Sequence, residues 1–573
     1  MKKLISYFTV FVMVVLGTSC TDQLRIDERQ TSFDVNYFSY SRYQLTTAIV
    51  DVAKNYGSSI KEESTQQCDL YFLDCYSGDQ IAGFYTNVPS DWSFLGSNPY
   101  NKQFRTLAAL TTLAKNEENM ATVAAANILK CVVGAYLTEK YGDIPFTEAA
   151  MGREGNLFPK FDSQKEVYET MFDLLDEAIS ILSDGSSTGI PADHDVLFAG
   201  DKTKWLKFAN SLKFRLMVHS YEAFKSEGRD LASEMQAIAS GNKYMSSVDD
   251  NASLDFSGSI ESESWYLQTN WGTGNEFTEQ KPTKYLIDHL VALDDPRLYV
   301  LFAPALTPLS DKAEAVTEEV KINGYTYSIN YDPASNYDAE DLVSQGRNLD
   351  GSIITVPYVN DAMWFGAPNP INLDNQYAGT GLPGGNGFYD NRRITGLSTL
   401  ISETTNNSLR AVMMESSEMM FLLAEARQRG WISAGSVEDY YNEGIKLSFE
   451  RWQIVDGTKP ESHIGSDEII EDFDAYCAKA GVALDGTNDL EKIALQKWFA
   501  LLLVDHTEAF TDILRTGRPS FVIPVAQSFS IYDFPQRYVY PLNESSNNKE
   551  NYDAAVTSIG GKDIASAKMW IRK

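Results

Sequence analysis

Apolar residues recur at helical spacing in seven stretches of this chain, 104–113, 121–141, 167–182, 205–221, 413–429, 437–451 and 490–503. Each stripe predicts a helix with one face turned to a core. Local signals bound several of them. Ser163 precedes the third stretch with Glu166 three residues on, a capping box. Gly430 follows AEARQR as a stop, and Gly142 with Pro145 closes the second stretch, because glycine takes the turn and proline prevents a restart. Trp205, Phe208 and Leu212 share one face and are expected in the core, while Lys204 and Lys207 are expected to stay in water. Short turns between successive helices predict antiparallel pairs. With Ala or Gly where helices cross and aromatic rings between them, the pairs are tetratricopeptide-like, although no strict repeat of ~34 residues can be read.

The period changes in the middle. Residues 241–410 are rich in Gly, Asn, Asp, Ser, Pro and aromatics, and KINGYTYSI predicts a hairpin turning at Asn323-Gly324. The expected fold is all-α, mainly helical: a scaffold of helix pairs at about 102–240 and 410–505, with a loop-rich, ligand-facing insert at about 241–409 carrying short strands.

The first residues, MKKLISYFTVFVMVVLGTSC, set Lys2 and Lys3 before an apolar run at 4–16 and small residues before Cys20. This resembles a bacterial lipoprotein signal, departing from the usual pattern in having Gly17 three before the cysteine and Leu16 one place early. The expected processing removes residues 1–19 and leaves lipid on the sulfur of Cys20, a polar acidic tether to residue 32, and one body at 33–573. Beyond residue 20 no apolar stretch is expected to reach membrane-spanning length.

The net charge of −31 becomes more negative once the two leader lysines are gone, and no basic patch offsets it, which argues against nucleic-acid partners. Of the other cysteines, Cys68 and Cys75 are close enough in sequence to pair, and Cys131 and Cys477 read as small buried residues. Signals for catalysis are poor. The five histidines are too far apart for a close-spaced zinc pattern. The GSSTG at 185–189 lacks the strand before and helix after that a nucleophile elbow needs, and the GTGLPG at 379–384 runs into Pro383 rather than a helix. Pairs such as Asp249-Asp250 and Asp294-Asp295 are expected by chance among 79 acidic residues. No loop has EF-hand spacing, so calcium is possible but unsupported, and no other metal or cofactor is expected besides the lipid.

Seven blocks, in order along the chain, carry a resemblance: LTEKYGDIPFTEA at 137–149, PKFDSQKEVYETMFDLLDEAISIL at 159–182, GDKTKWLKFANSLKFRLMVH at 200–219, SEMMFLLAEARQRGW at 417–431, IALQKWFALL at 493–502, LRTGRPSF at 514–521 and RYVYPLNESSNN at 537–548. Together they resemble the SusD/RagB family of surface lipoproteins, in particular its SusD-like branch. The resemblance implies a non-enzymatic, outer-membrane, cell-surface protein that captures a glycan and hands it to a SusC-like TonB-dependent transporter. A peptide-capturing lid and a surface adhesin or scaffold are the rival readings.

In this family the ligand site is generally made by inserts on the helical scaffold. Sugars stack their C–H faces on rings and need amide or carboxylate partners at the rim. The candidate platforms are Trp92, Trp265, Tyr266, Trp271, Trp364 and Phe365, with Asn270, Asn369, Asn372 and Asp374 as polar partners. For each residue singly, packing between loops and scaffold is the competing reading. In the blocks themselves the bottom-up reading is structural, with Arg515 and Arg518 pinning a turn and Tyr540-Pro541 packing a terminal segment back on the helices.

Overall fold

The computed structural model of the chain describes residues 40–57, 71–74, 89–93, 98–256, 280–310, 314–322, 325–333, 363–366, 394–402, 409–454, 473–520 and 536–572. The architecture is predominantly helical. Among the described residues the longer helices of the first half are α1 (Ser41–Gly57), α2 (Gln103–Asn116), α3 (Met120–Tyr141), α4 (Gln164–Ser183) and α5 (Lys202–Ser226). Those of the second half are α6 (Ser416–Gln428), α7 (Val437–Arg451), α8 (Asp489–Leu501) and α9 (His506–Thr516).

Successive helices pack on one another as expected, α2 on α3, α3 on α4, α4 on α5 and α6 on α7. The halves join where α5 meets α6, and α6 also packs on α8. Short side chains set the crossings. A Cβ on Gly134 of α3 would lie 2.5 Å from the Phe146 ring, and one on Gly444 of α7 would lie 2.9 Å from the Phe421 ring of α6.

Caps start the helices where the sequence places them. Ser163 and Glu166 form the full capping box of α4. Asn119, Asp201, Ser436 and Asp505 each accept a first-turn backbone N–H of α3, α5, α7 and α9. Gly142 closes α3 with a φ of 87° and Pro145 follows it. Trp205, Phe208 and Leu212 are fully buried, as their spacing requires. Lys207, expected in water, instead reaches the buried Asp250 carboxylate at 2.9 Å.

Three expectations need correction. Helix α3 has 22 residues and is long and apolar enough to cross a membrane. It is nevertheless a core helix, with 89% of its most apolar window buried against α1, α2, α4 and α5. A helix surrounded on every side needs no polar face. The stretch 413–429 begins as strand rather than helix: β1 (Ala252–Leu254) pairs antiparallel with Ala411–Met414, and α6 starts only at Ser416. Helix α1 was not foreseen, yet it buries Leu45, Ala48, Ile49, Val52 and Ala53 in the common core.

In the middle region, β2 (Val316–Ile322) and β3 (Tyr325–Pro333) form the expected hairpin, with Ile322 opposite Tyr325. Its turn residues, Asn323 and Gly324, lie outside the described residues, as do Cys68 and Cys75 and the 379–384 glycines. Cys131 is buried and Cys477 half-buried.

The chain ends by returning to its beginning. Tyr538 N–H donates to the Lys140 carbonyl and Arg537 Nε to that of Tyr141, both at the end of α3. The final turn, Trp570–Arg572, lies across α4 and α5: Ile571 N–H donates to Gln164 Oε1 and Trp570 Nε1 to Glu227 Oε1.

Candidate functional site

Three of the proposed ring platforms are described, and all three are buried. Trp92 is 5% exposed. Its ring packs edge-on against Tyr100 and Tyr141, at 5.2 and 4.9 Å between centroids, and its Nε1 donates to Glu544 Oε1 at 2.7 Å. Trp364 is 3% exposed, edge-on to Tyr299 at 5.7 Å, and Phe365 is 1% exposed beneath the Lys284 ammonium. Beside them Gly366 lies so close to the Thr283–Lys284 backbone that a Cβ would fall 2.4 Å from the Thr283 carbonyl oxygen.

A sealed ring offers no face to a sugar, so these three are corrected from ligand platforms to packing residues. An aromatic, Asn-rich segment can be a loop threaded through the body as readily as one facing solvent. Trp265, Tyr266, Trp271, Asn270, Asn369, Asn372, Asp374 and the lipidation candidate Cys20 lie outside the described residues.

Among the described residues a dense polar constellation is one that sequence reasoning did not single out. Arg215 and His219, one turn apart on α5, meet Glu139 of α3, Glu418 of α6 and Glu508 of α9, and the network runs on through Lys497 of α8 and Asp512 of α9 to Arg515 of α9 and Glu425 of α6. Arg215 holds Glu418 in a bidentate pair and has Asp505 and Glu508 each at 3.6 Å. The His219 ring sits between two carboxylates, Nδ1 at 2.7 Å from Glu139 and Nε2 at 3.0 Å from Glu508. Lys497 Nζ bridges Glu508 at 2.7 Å and Asp512 at 2.6 Å, and Arg515 forks onto Glu425 at 2.8 and 2.6 Å. Two phenols complete the set: Tyr56 donates to Asp505 and Tyr168 to Glu139.

Electrostatics fixes some of the charge states and leaves others poised: burial pushes Glu418 up to about 7 and Asp505 up to about 6 against the pull of Arg215. Burial alone would lower the His219 pKa, but the carboxylates on its two nitrogens overturn that and raise it to about 10. Burial would raise the Glu508 carboxyl, yet His219, Lys497 and Arg215 hold it well below the usual carboxylate range. Glu425, likewise buried, is held low by Arg515 and Arg429. His219 is therefore held as a protonated ring that donates from both nitrogens.

His219, Glu508 and Asp512 do bring metal-type ligand atoms within 4.8 Å of one another. The Lys497 ammonium already bridges the two carboxylates there, and a cation would have to displace it. The residues fit a structural ion network better than a metal centre. Arg215, His219, Glu418 and Glu508 are at most 3% exposed, so no substrate reaches them.

Among the described residues lies a polar surface groove of about 440 Å³. Gln428, Asn488, Asp489, Glu491, Arg518 and Ser520 line it, and no aromatic ring does. It can hold water or a small polar ligand, but it lacks the stacking face a pyranose prefers. The acidic pairs considered for hydrolysis are also spoken for. Asp250 pairs with Lys207, and buried Asp295 holds the Arg297 guanidinium at 2.6 Å.

Residues 41–360 match a family model described as SusD-like, starch-binding and associating with the outer membrane. Residues 368–572 match a second, described as SusD and RagB outer membrane lipoprotein. No curated protein matches the chain. Among solved structures, a chitin-binding protein is similar at 23% identity and a TM-score of 0.67, covering 93% of this chain and 100% of that one. An outer-membrane protein of Bacteroides vulgatus, whose description assigns it to nutrient binding, shows 23% identity and a TM-score of 0.69 over 93% and 100% of the two chains. A SusD homologue of Bacteroides fragilis gives 19% and 0.66 with the same coverage. At these identities the likeness is one of fold.

Proposed function

Because the chain belongs to the SusD/RagB family of outer-membrane lipoproteins, we propose that it is a lipid-anchored, cell-surface protein that captures a glycan nutrient and delivers it to a SusC-like TonB-dependent transporter. The observation that carries this reading is the pair of family matches, which between them run over nearly the whole scaffold. A starch-binding description on the first match favours glycan over peptide. We read the role as binding rather than catalysis, a reading supported by the family and by the pairing of the buried titratable groups of the described scaffold with one another.

Ligand capture falls to the loop-rich region, where Trp265, Tyr266 and Trp271 remain the candidate rings, with Asn270, Asn369, Asn372 and Asp374 at the rim. The test is retention of the mature protein by a panel of polysaccharides and by peptide digests, with Trp265→Ala and Trp364→Ala beside it. Expected is retention by a glycan that Trp265→Ala abolishes, while Trp364→Ala lowers thermal stability and keeps the affinity of the folded fraction. Retention by peptides alone would move the assignment to a peptide lid. Unchanged uptake of every tested glycan and peptide after deletion of the gene would overturn the delivery role.

A further inference from the structure

The start of α1 carries a surface group that the scaffold does not use. Tyr40 and Tyr43 are each 48% exposed, and Val196 is 49% exposed. The Arg42 guanidinium lies 4.7 and 5.0 Å from the two tyrosine ring centroids, and its Nη2 donates to the Tyr43 hydroxyl. The Tyr43 ring meets His194 edge-on at 5.3 Å.

The group is held in place from behind. Glu117, just past the end of α2, accepts from both Ser41 N–H (2.7 Å) and Ser41 Oγ (2.5 Å), and Thr46 Oγ1 donates to the His194 carbonyl at 2.7 Å. Among the described residues Arg42 has no carboxylate partner, although the chain carries 79 acids against 48 basic residues. A fixed cation flanked by half-exposed phenols is the chemistry of the bilayer interface, where tyrosine rings sit at headgroup level and arginine meets phosphate.

Position in the chain supplies the occupant. Tyr40 stands twenty residues after Cys20, and a chain of that length reaches at most ~70 Å even when fully extended. A lipid on Cys20 therefore keeps this corner of the body near the bilayer, where a contact too weak to bind from solution is populated.

We propose that Tyr40, Arg42 and Tyr43, with His194 and Val196 beside them, form a lipid-surface contact that seats the body on the membrane to which Cys20 ties it. The contact rests on the proposed lipidation. Two tyrosines at the interface and one guanidinium on a phosphate orient the body without inserting a helix.

The test uses the mature lipoprotein reconstituted in vesicles of phosphatidylethanolamine and phosphatidylglycerol, with Cys20→Ser protein mixed with the same vesicles as reference. Amide hydrogen exchange in residues 41–47 is expected to slow about 5-fold in the anchored protein. The Tyr40→Ala/Tyr43→Ala double variant is expected to float with the vesicles as the wild type does and to lose that slowing. Arg42→Glu is expected to lose most of it. Flotation of the wild type without slowed exchange overturns the contact alone, whereas failure to float removes the anchor and the contact with it. Slowing produced by soluble oligosaccharide in place of vesicles would reassign the rings to a sugar and overturn the proposal.

Discussion

Where α5, α6, α8 and α9 meet, the scaffold is held by charges; where the C-terminal segment returns to α3, it is held by rings. The first seam sets Arg215, His219, Lys497 and Arg515 among Glu139, Glu418, Glu425, Glu508 and Asp512. In the second, Trp92, Tyr100, Tyr141, Phe161 and Tyr540 pack around one another, mostly edge-on. Both are largely buried and both join segments remote in sequence, but they fail differently. A charge seam is directional and titrates, and losing one member leaves the others uncompensated. A ring seam loses area and gains a cavity in proportion to what is removed.

The largest expected effect breaks the charge seam at its hub. Glu508→Ala leaves His219, Lys497 and Arg215 short of a shared carboxylate and should cost about 3–5 kcal/mol in urea unfolding. A loss below about 1 kcal/mol would mean that the seam tolerates an open position and is not cooperative. Trp92→Ala should cost about 3 kcal/mol through lost packing, and calorimetry should find that loss the same at pH 6 and pH 9.

The pH axis separates the seams most cleanly. His219 is raised from an ordinary value near 6.5 to about 10 in the folded protein. Its contribution is therefore complete below about 6.5 and disappears as pH rises through about 10. Unfolding free energies measured from pH 6 to 10 should fall for the wild type and for Trp92→Ala alike, and be markedly flatter for His219→Gln. At the acid end the lowered Glu508 and Glu425 act oppositely, stabilising above the ordinary carboxylate range and losing that effect as pH drops below it, while Glu418 and Asp505, raised by burial to about 7 and about 6, lose stability as pH rises through those values. The smallest effect lies outside both seams. Gly444→Ala pushes a methyl against the Phe421 ring and should cost about 1 kcal/mol, with no change in the pH profile.

This contrast also explains what could be read from the sequence. Helices with an apolar stripe, such as α4 and α7, were legible to within a few residues, because hydrophobic period and caps agreed. Helix α9 was not, since its inward face carries Glu508 and Asp512, which an apolar count treats as solvent-facing. Most members of the charge seam lie in the very blocks that carry the family resemblance: Glu139, Arg215, His219, Glu418, Glu425, Lys497 and Arg515. Those blocks were recognisable, yet their shared purpose was not, because a pairing across remote positions has no local signature. In α1 the stripe at 45, 48, 49, 52 and 53 was present but set among β-branched residues that weaken a helical reading. Trp92, Trp364 and Phe365 misled for the converse reason, since composition cannot tell a buried irregular segment from an exposed one.

The turn Trp570–Arg572 packs on α4 and α5, which lie far from it in sequence, as well as on α9. A ribosome makes those helices before the clasp, and hundreds of residues separate the two. Until the clasp has been made, the early helices present an unclosed end. A truncation of even these few residues would leave that end open permanently, so an affinity tag or fusion is better placed elsewhere than directly on this turn.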